Sequence, residues 1–471
     1  MLADLLFQHG AQFGNDFSFR FLFTSYLGGD VLLASLVQLF GVNGAAAIWA
    51  VLTFISLPAA VYFYLRVMEA RIEVVLLMLF VSLFLTSDTF FVMGFFEFKL
   101  SIALALVGLA TLELLRQRWS APYFAIFAVL ILVTYLVHLA AVVFIGALQG
   151  VSALWRIAQR RSSLARELLL FAPVIGVLAW HFVGAAAYRQ ADDLVDSPDS
   201  WGTVARKMYD LSWDLRRYDR RQDTVVIGTL LIFLAASMLN RRVEYGKEWL
   251  SARVLEPLSY ALVFFGLYFV LPFSQLEATY IDARALVLAL LFLFLGLLSI
   301  RTAIEPSSSS GGRGRTDAIT ISFAALAVYV NLAYLTFHLW KDSEWLAQYR
   351  ATLAPIPPHA SVLPIYTDAT TRRPLEHLHA ASFAVIDREA LIPYQFSGDR
   401  GNPMKYFRYV RRPYAPPELW YRQRQDNEVD WQQIARQYRY LLVMKPFTAD
   451  RIPIHTRTVA ETDAAVLMTT R

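Results

Sequence analysis

The sequence predicts a polytopic α-helical membrane protein of about 10 transmembrane helices, with a small C-terminal α/β domain on its extracytoplasmic side. Three observations predict it. Of 471 residues, 57% are hydrophobic and 17% are charged, with a mean hydropathy of +0.44. Soluble domains carry about 25% charged residues, and one of this length could not hide so much apolar surface. Apolar segments recur from 44 to 339, with arginines gathered in alternate junctions between them, and from 341 onward the chain turns polar.

The segments that read as spans are 44–65, 73–87, 99–115, 121–137, 138–155, 167–187, 223–240, 256–273, 285–300 and 318–339. Several are shorter than the roughly 20 residues a crossing helix needs. The run 121–155 is continuous and fits either a tight hairpin or one bent helix. Arg66 and Arg71 follow the first span, Arg116 and Arg118 the third, and Arg156, Arg160, Arg161 and Arg166 the fifth. Arg241, Arg242, Lys247 and Arg253 follow the seventh, and Arg301, Arg313 and Arg315 the ninth. Alternate basic loops place one side in the cytoplasm. Residues 1–43, loop 188–222 and the tail from 341 then lie outside. Loop 188–222 mixes Arg206, Lys207 and further arginines with several aspartates, so it is nearly neutral.

Three domains follow: an outer-face segment 1–43, a transmembrane domain 44–340 and an extracytoplasmic α/β domain 341–471. In the first, DVLLASLVQLFG (30–41) reads as an amphipathic helix on the membrane surface. Residues 1–30 hold no spanning segment or signal peptide; either this tail is exported without help or, as the simpler expectation, a further helix lies upstream of Met1. Loop 302–317, rich in Ser and Gly, reads as a flexible cytoplasmic linker. Its GGRGR neither follows a strand nor opens a helix in this reading, so it is no phosphate loop. In the tail, 361–368 and 464–470 read as strands, and 430–445 as a short helix running into a strand.

Cysteine is absent, which excludes thiolate nucleophiles, disulfides and cysteine metal sites. A net charge of +5 without a concentrated basic face argues against nucleic acid as a partner. Hydrolase, P-loop, dinucleotide and zinc motifs are missing. His377 and His379 lack a third metal ligand.

Charged and polar residues at membrane depth are costly and draw functional hypotheses. In SDTFFVMGFFEFKL (87–100), Glu97 and Lys99 can pair, or Lys99 can hold a phosphate; the structural alternative is a Phe-rich turn with Lys99 snorkelling. His138 lies between two apolar runs and suits a base, a phosphate contact or a hairpin anchor. In SQLEATYIDARAL (274–286), Glu277, Asp282 and Arg284 stand at the outer membrane mouth, where an arginine can grip a phosphate through two parallel bonds. Asp16 and Asp30 are the early outer carboxylates, and Asp30 also suits an N-cap.

The overall layout resembles the GT-C superfamily of membrane glycosyltransferases. FTSYLGGDVLLASLVQLFGVNGAAAIWAVL (23–52), FVMGFFEFKLSIALAL (91–106), IDARALVLALLFLFLG (281–296) and DWQQIARQYRYLLVMKP (430–446) are similar to stretches of a bacterial branch of that superfamily. The resemblance implies transfer of a sugar from a polyprenyl-phosphate donor to a cell-envelope glycan or lipid, in the bacterial inner membrane. It implies an early acidic base, Asp16 or Asp30, and donor-phosphate contacts from Lys99, Arg284 and His138. Glu97 and Asp282 would support them. No metal ligands are assigned, although some members use a divalent metal. The implied partners are the lipid-linked sugar donor, membrane lipids and membrane proteins. The chain departs from the pattern at one place: the first span and the acidic motif after it are not found, and Asp30 matches a later position. A rival reading is therefore a non-catalytic membrane scaffold subunit. A flippase ranks last, because few charges fall at mid-span.

Overall fold

The computed structural model describes residues 7–8, 13–14, 17–19, 25–92, 94–189, 202–211, 228, 252–272, 274–275, 278–279, 281–303, 313–365, 380–393, 407–409, 429–445 and 452–470. It divides into two compact units. One comprises 23–33 and 46–333; the other comprises 1–22, 34–45 and 334–471.

The first unit is helical apart from two short antiparallel strands, β2 (Ser274–Gln275) and β3 (Ala278–Thr279). Its elements are α1 (Leu27–Val67), α2 (Ile72–Thr86), α3 (Thr89–Val92), α4 (Phe96–Gln117), α5 (Ala121–Val137), α6 (Leu139–Ala158), α7 (Leu164–Arg189), α8 (Val204–Asp210), α9 (Ala252–Val270), α10 (Arg284–Ala303) and α11 (Arg313–Thr352). Helices α1 and α11 also contribute residues to the second unit. Among the described residues five helices are long and apolar enough to cross a membrane: α1, α4, α6, α7 and α11. Shorter apolar helices occupy Ile72–Thr86, Ala121–Val137, Leu255–Val270 and Arg284–Ser299. The expected span 223–240 lies outside the described residues apart from Gly228.

Helix α1 is two helices joined across Gly41, whose φ of 69° and ψ of 174° break the helical path. Positive φ suits glycine because it carries no Cβ. The expected surface helix is therefore set off from the longer apolar helix behind it. The run 121–155 resolves into two helices, α5 and α6, which pack together. His138 separates them in extended backbone at φ −166° and ψ 123°, with its Nδ1 3.2 Å from the Ala140 N at the start of α6. The structure corrects the reading of the GGRGR stretch: Arg313 opens α11, so its last residues lie in a helix. Helix α10 is almost wholly buried, with Leu288, Ala289 and Phe292 at 0% exposure. It packs on α9, and Gly296 lets Leu258 approach closely.

The second unit holds a four-stranded sheet in the order β4 (Val362–Ile365), β6 (Tyr440–Met444), β8 (Ala465–Thr469), β7 (Arg457–Glu461). β4 runs parallel to β6, and the remaining pairs are antiparallel. The central strand β6, YLLVM, is buried at every position, as its unbroken apolar run demands. Helix α13 (Trp431–Gln437) precedes it, capped by Asp430 through the Gln433 N–H, and drives Ile434 into the core. A short helix, α12 (Ser382–Arg388), carries Asp387, which meets Arg350 in two bonds of 2.7 Å. Strand β1 (Phe17–Phe19) pairs antiparallel with β5 (Phe407–Tyr409), joining the N-terminal segment to the tail within this unit.

Candidate functional site

In the helical unit, α1, α4, α6 and α10 begin at one end, where α2, α5 and α9 finish. Most of the polar residues singled out above meet here.

Lys99, in the first turn of α4, is 2% exposed. Its Nζ lies 2.6 Å from Asp88 Oδ2 and donates to the Leu85 carbonyl at 2.7 Å. The recorded partner is thus Asp88 in the α2–α3 turn, not Glu97 as the sequence spacing allowed, and the lysine is buried instead of snorkelling. Asp88 also accepts from the Phe91 N–H at 3.1 Å. Glu97 packs against the start of α1, where a Cβ on Gly29 would come within 2.6 Å of its Cγ. That contact requires glycine and brings α1 against α4.

Arg284, the first residue of α10, is 6% exposed. Its guanidinium lies over the rings of Phe95 and Phe98, 5.6 and 5.4 Å from their centroids. Its Nη1 is 3.1 Å from His138 Nε2. The same ring nitrogen is 3.3 Å from the Tyr26 hydroxyl. A guanidinium nitrogen can only donate, so this contact requires an unprotonated Nε2 and a neutral ring. Tyr26 immediately precedes α1 in the left-handed region at φ 78°. Its carbonyl accepts from the Asp30 N–H at 3.0 Å. Asp30 therefore lies in the first turn of α1 and is not its N-cap. A carboxylate there is favoured by the helix dipole.

Asp282 is in the turn before α10, and its Oδ1 accepts from the Ala283 N–H at 2.8 Å. Burial raises its carboxyl above the ordinary range, against the opposing pull of Lys207. Lys207 Nζ is 3.0 Å from Asp282 Oδ2. It also donates to the carbonyls of Tyr268, at 2.8 Å, and Leu271. The Tyr268 hydroxyl returns a bond to the Lys207 carbonyl at 2.7 Å. Sequence reasoning passed over Lys207 as one cation in a nearly neutral loop. The available signal was Thr203 four residues earlier, which N-caps α8 and fixes Lys207 on it.

Lys99, Arg284, His138, Glu97, Asp282 and Asp30 are thus brought to one end of the unit. Asp16, Glu277, His377 and His379 lie outside the described residues. Among the described residues no three His, Cys, Asp or Glu side chains gather to hold a metal, and Asp88 and Asp282 each face a lysine.

No family model matches the sequence, and no curated protein is significantly similar to it. Solved structures are similar at the level of the fold. ArnT from Cupriavidus metallidurans bound to undecaprenyl phosphate superposes with a TM-score of 0.55 at 12% identity, covering 100% of this chain and 92% of that one. The apo state of the same protein gives 0.57 at 11% identity, covering 96% and 88%. The chain shares the overall fold of these ArnT structures. It is a multi-pass helical membrane protein.

Proposed function

We propose that this protein is a membrane glycosyltransferase that takes a sugar from a polyprenyl-phosphate donor and passes it to a cell-envelope glycan or lipid on the outer face of the inner membrane. The observation that carries this reading is the convergence of Arg284, Lys99, His138 and Asp30 at one end of a fold shared with a protein captured on undecaprenyl phosphate. Arg284 would grip the phosphate, since a guanidinium binds such oxygens bidentately. Lys99, paired with Asp88, would be a further phosphate contact. Asp30 is the base: its carboxylate takes the proton of the acceptor hydroxyl as that oxygen bonds to the anomeric carbon. The bond from that carbon to the phosphate oxygen breaks, and the electron pair leaves on the polyprenyl phosphate, which the cations stabilise. Asp16 is the alternative base.

Native mass spectrometry of the detergent-purified protein tests the reading. A bound polyprenyl phosphate, lost in Arg284→Ala with the fold intact, supports it. Retention of that lipid by Arg284→Ala removes the arginine from the assignment. The scaffold reading keeps one observation in its favour: Lys99 and Lys207 each already face a carboxylate. Ordinary phospholipid together with a stable protein partner would select it.

A further inference from the structure

The His138 ring is 3% exposed and meets three polar groups. Nδ1 lies 3.2 Å from the Ala140 N. Nε2 lies 3.1 Å from Arg284 Nη1 and 3.3 Å from the Tyr26 hydroxyl. A neutral imidazole has one N–H and one acceptor nitrogen. The Ala140 amide and the Arg284 guanidinium can only donate, so their bonds demand opposite tautomers. If Arg284 donates to Nε2, the proton sits on Nδ1 and the α6 cap is lost. If the proton sits on Nε2, Nδ1 caps α6, the Nε2–H donates to Tyr26, and Arg284 must bond elsewhere. A phosphate would draw it away, because charge-assisted bonds are stronger than those to a neutral acceptor.

We propose that His138 is a positioning residue whose single ring proton couples the capture of a phosphate by Arg284 to the N-terminus of α1, where Asp30 stands. When the phosphate takes Arg284, Nδ1 gives its proton to water and Nε2 takes one from water, with no net uptake. The bond to Tyr26 then reverses, the Nε2–H donating to the hydroxyl that had faced a ring acceptor, and the Tyr26 carbonyl holds the Asp30 N–H. The donor would thereby order the helix start that carries the base before the acceptor arrives. The identity of the anion rests on the proposed function; the tautomer exchange does not.

The test uses the full chain in detergent with ¹⁵N-histidine, the His138 ring signals being assigned by their loss in His138→Asn. In the wild type, Nε2 is expected unprotonated. In Arg284→Ala, and in Arg284→Gln should the first variant fold poorly, Nε2 is expected protonated. Added undecaprenyl phosphate should move the wild type the same way. One tautomer throughout overturns the inference. A change in the arginine variants without binding of the lipid would uphold the exchange and sink the donor reading instead. Binding of the lipid without a change in tautomer would overturn the coupling. Affinity gives a second readout. Asn at 138 keeps an acceptor for the α6 cap but no competitor for Arg284, whereas Gln reaches the Nε2 position. His138→Asn should bind undecaprenyl phosphate more tightly than His138→Gln, and equal affinities would count against the proposal.

Discussion

The two ends of the helical unit both bury charge, and they do so differently. At the end where α4, α6 and α10 begin, Lys99 faces Asp88, Lys207 faces Asp282, and Arg284 lies on two phenylalanine rings and a neutral histidine. At the opposite end, where α4 and α6 finish and α7 begins, arginines and glutamates form one shared network. Arg116 is 2.7 Å from Glu167 and from the Ser152 hydroxyl, and 3.8 Å from Glu113. Arg156 approaches Glu113 at 3.6 Å and Glu167 at 3.9 Å. Arg166 donates to the Arg116 carbonyl, and Trp155 to Ser259. The contrast teaches that the same fold buries charge with different partners at its two ends. Carboxylates shared between arginines rivet α4, α6 and α7 together. Around Arg284 the contacts described above are aromatic faces and an imidazole.

Breaking the network should have the largest effect on stability. Arg116→Ala leaves Glu167 buried and should cost about 3–5 kcal/mol. Replacing both, as Arg116→Met with Glu167→Leu, should recover most of that loss, and thermal unfolding in detergent measures both. At the other end, Arg284→Ala should lower transfer about 10²–10³-fold while moving the melting temperature little, the behaviour of a lost charge-stabilising donor. An Arg284→Ala protein that unfolds as readily as Arg116→Ala would erase the distinction between the two ends.

Gly29→Ala probes packing at the candidate site alone. The new Cβ meets Glu97 Cγ, and overpacking of this kind costs about 1–3 kcal/mol. Chemical denaturation reads it, and an unchanged midpoint would mean that α1 and α4 yield freely. The smallest effect is a pH dependence. Burial raises the Asp282 carboxyl, so the folded chain holds this proton more tightly than the unfolded chain does. Its contribution to stability is present below the ordinary carboxylate range and is lost as pH rises through the raised value. Asp282→Asn should flatten the melting temperature across that window, and a variant with an unaltered pH profile would contradict the burial argument.

Much of the helical layout was legible, because spans are written in long apolar runs and arginine clusters. The tail was legible where strands are apolar: 361–368 holds β4, 430–445 holds α13 and β6, and 464–470 holds β8. Strand β7 was not, because an exposed edge strand reading RTVAE carries no apolar alternation. Nor was the length of α11, which continues to Thr352 past the polar turn of the sequence at 341. Polarity marks where an apolar environment ends, while KDSEWLAQYRAT retains good helix propensity throughout.

By itself, the sequence determined that this is a multi-pass helical protein and that Asp30, Lys99, His138, Asp282 and Arg284 deserve notice. Hydrophobic runs and costly polar residues are local quantities that can be read one position at a time. Only the tertiary structure decided the partners. Lys99 chose Asp88 over the nearer Glu97, Lys207 crossed from a distant loop to Asp282, and Arg284 met a histidine 146 residues away. Such choices depend on which helix ends come together, and on which donor reaches an acceptor once water is excluded.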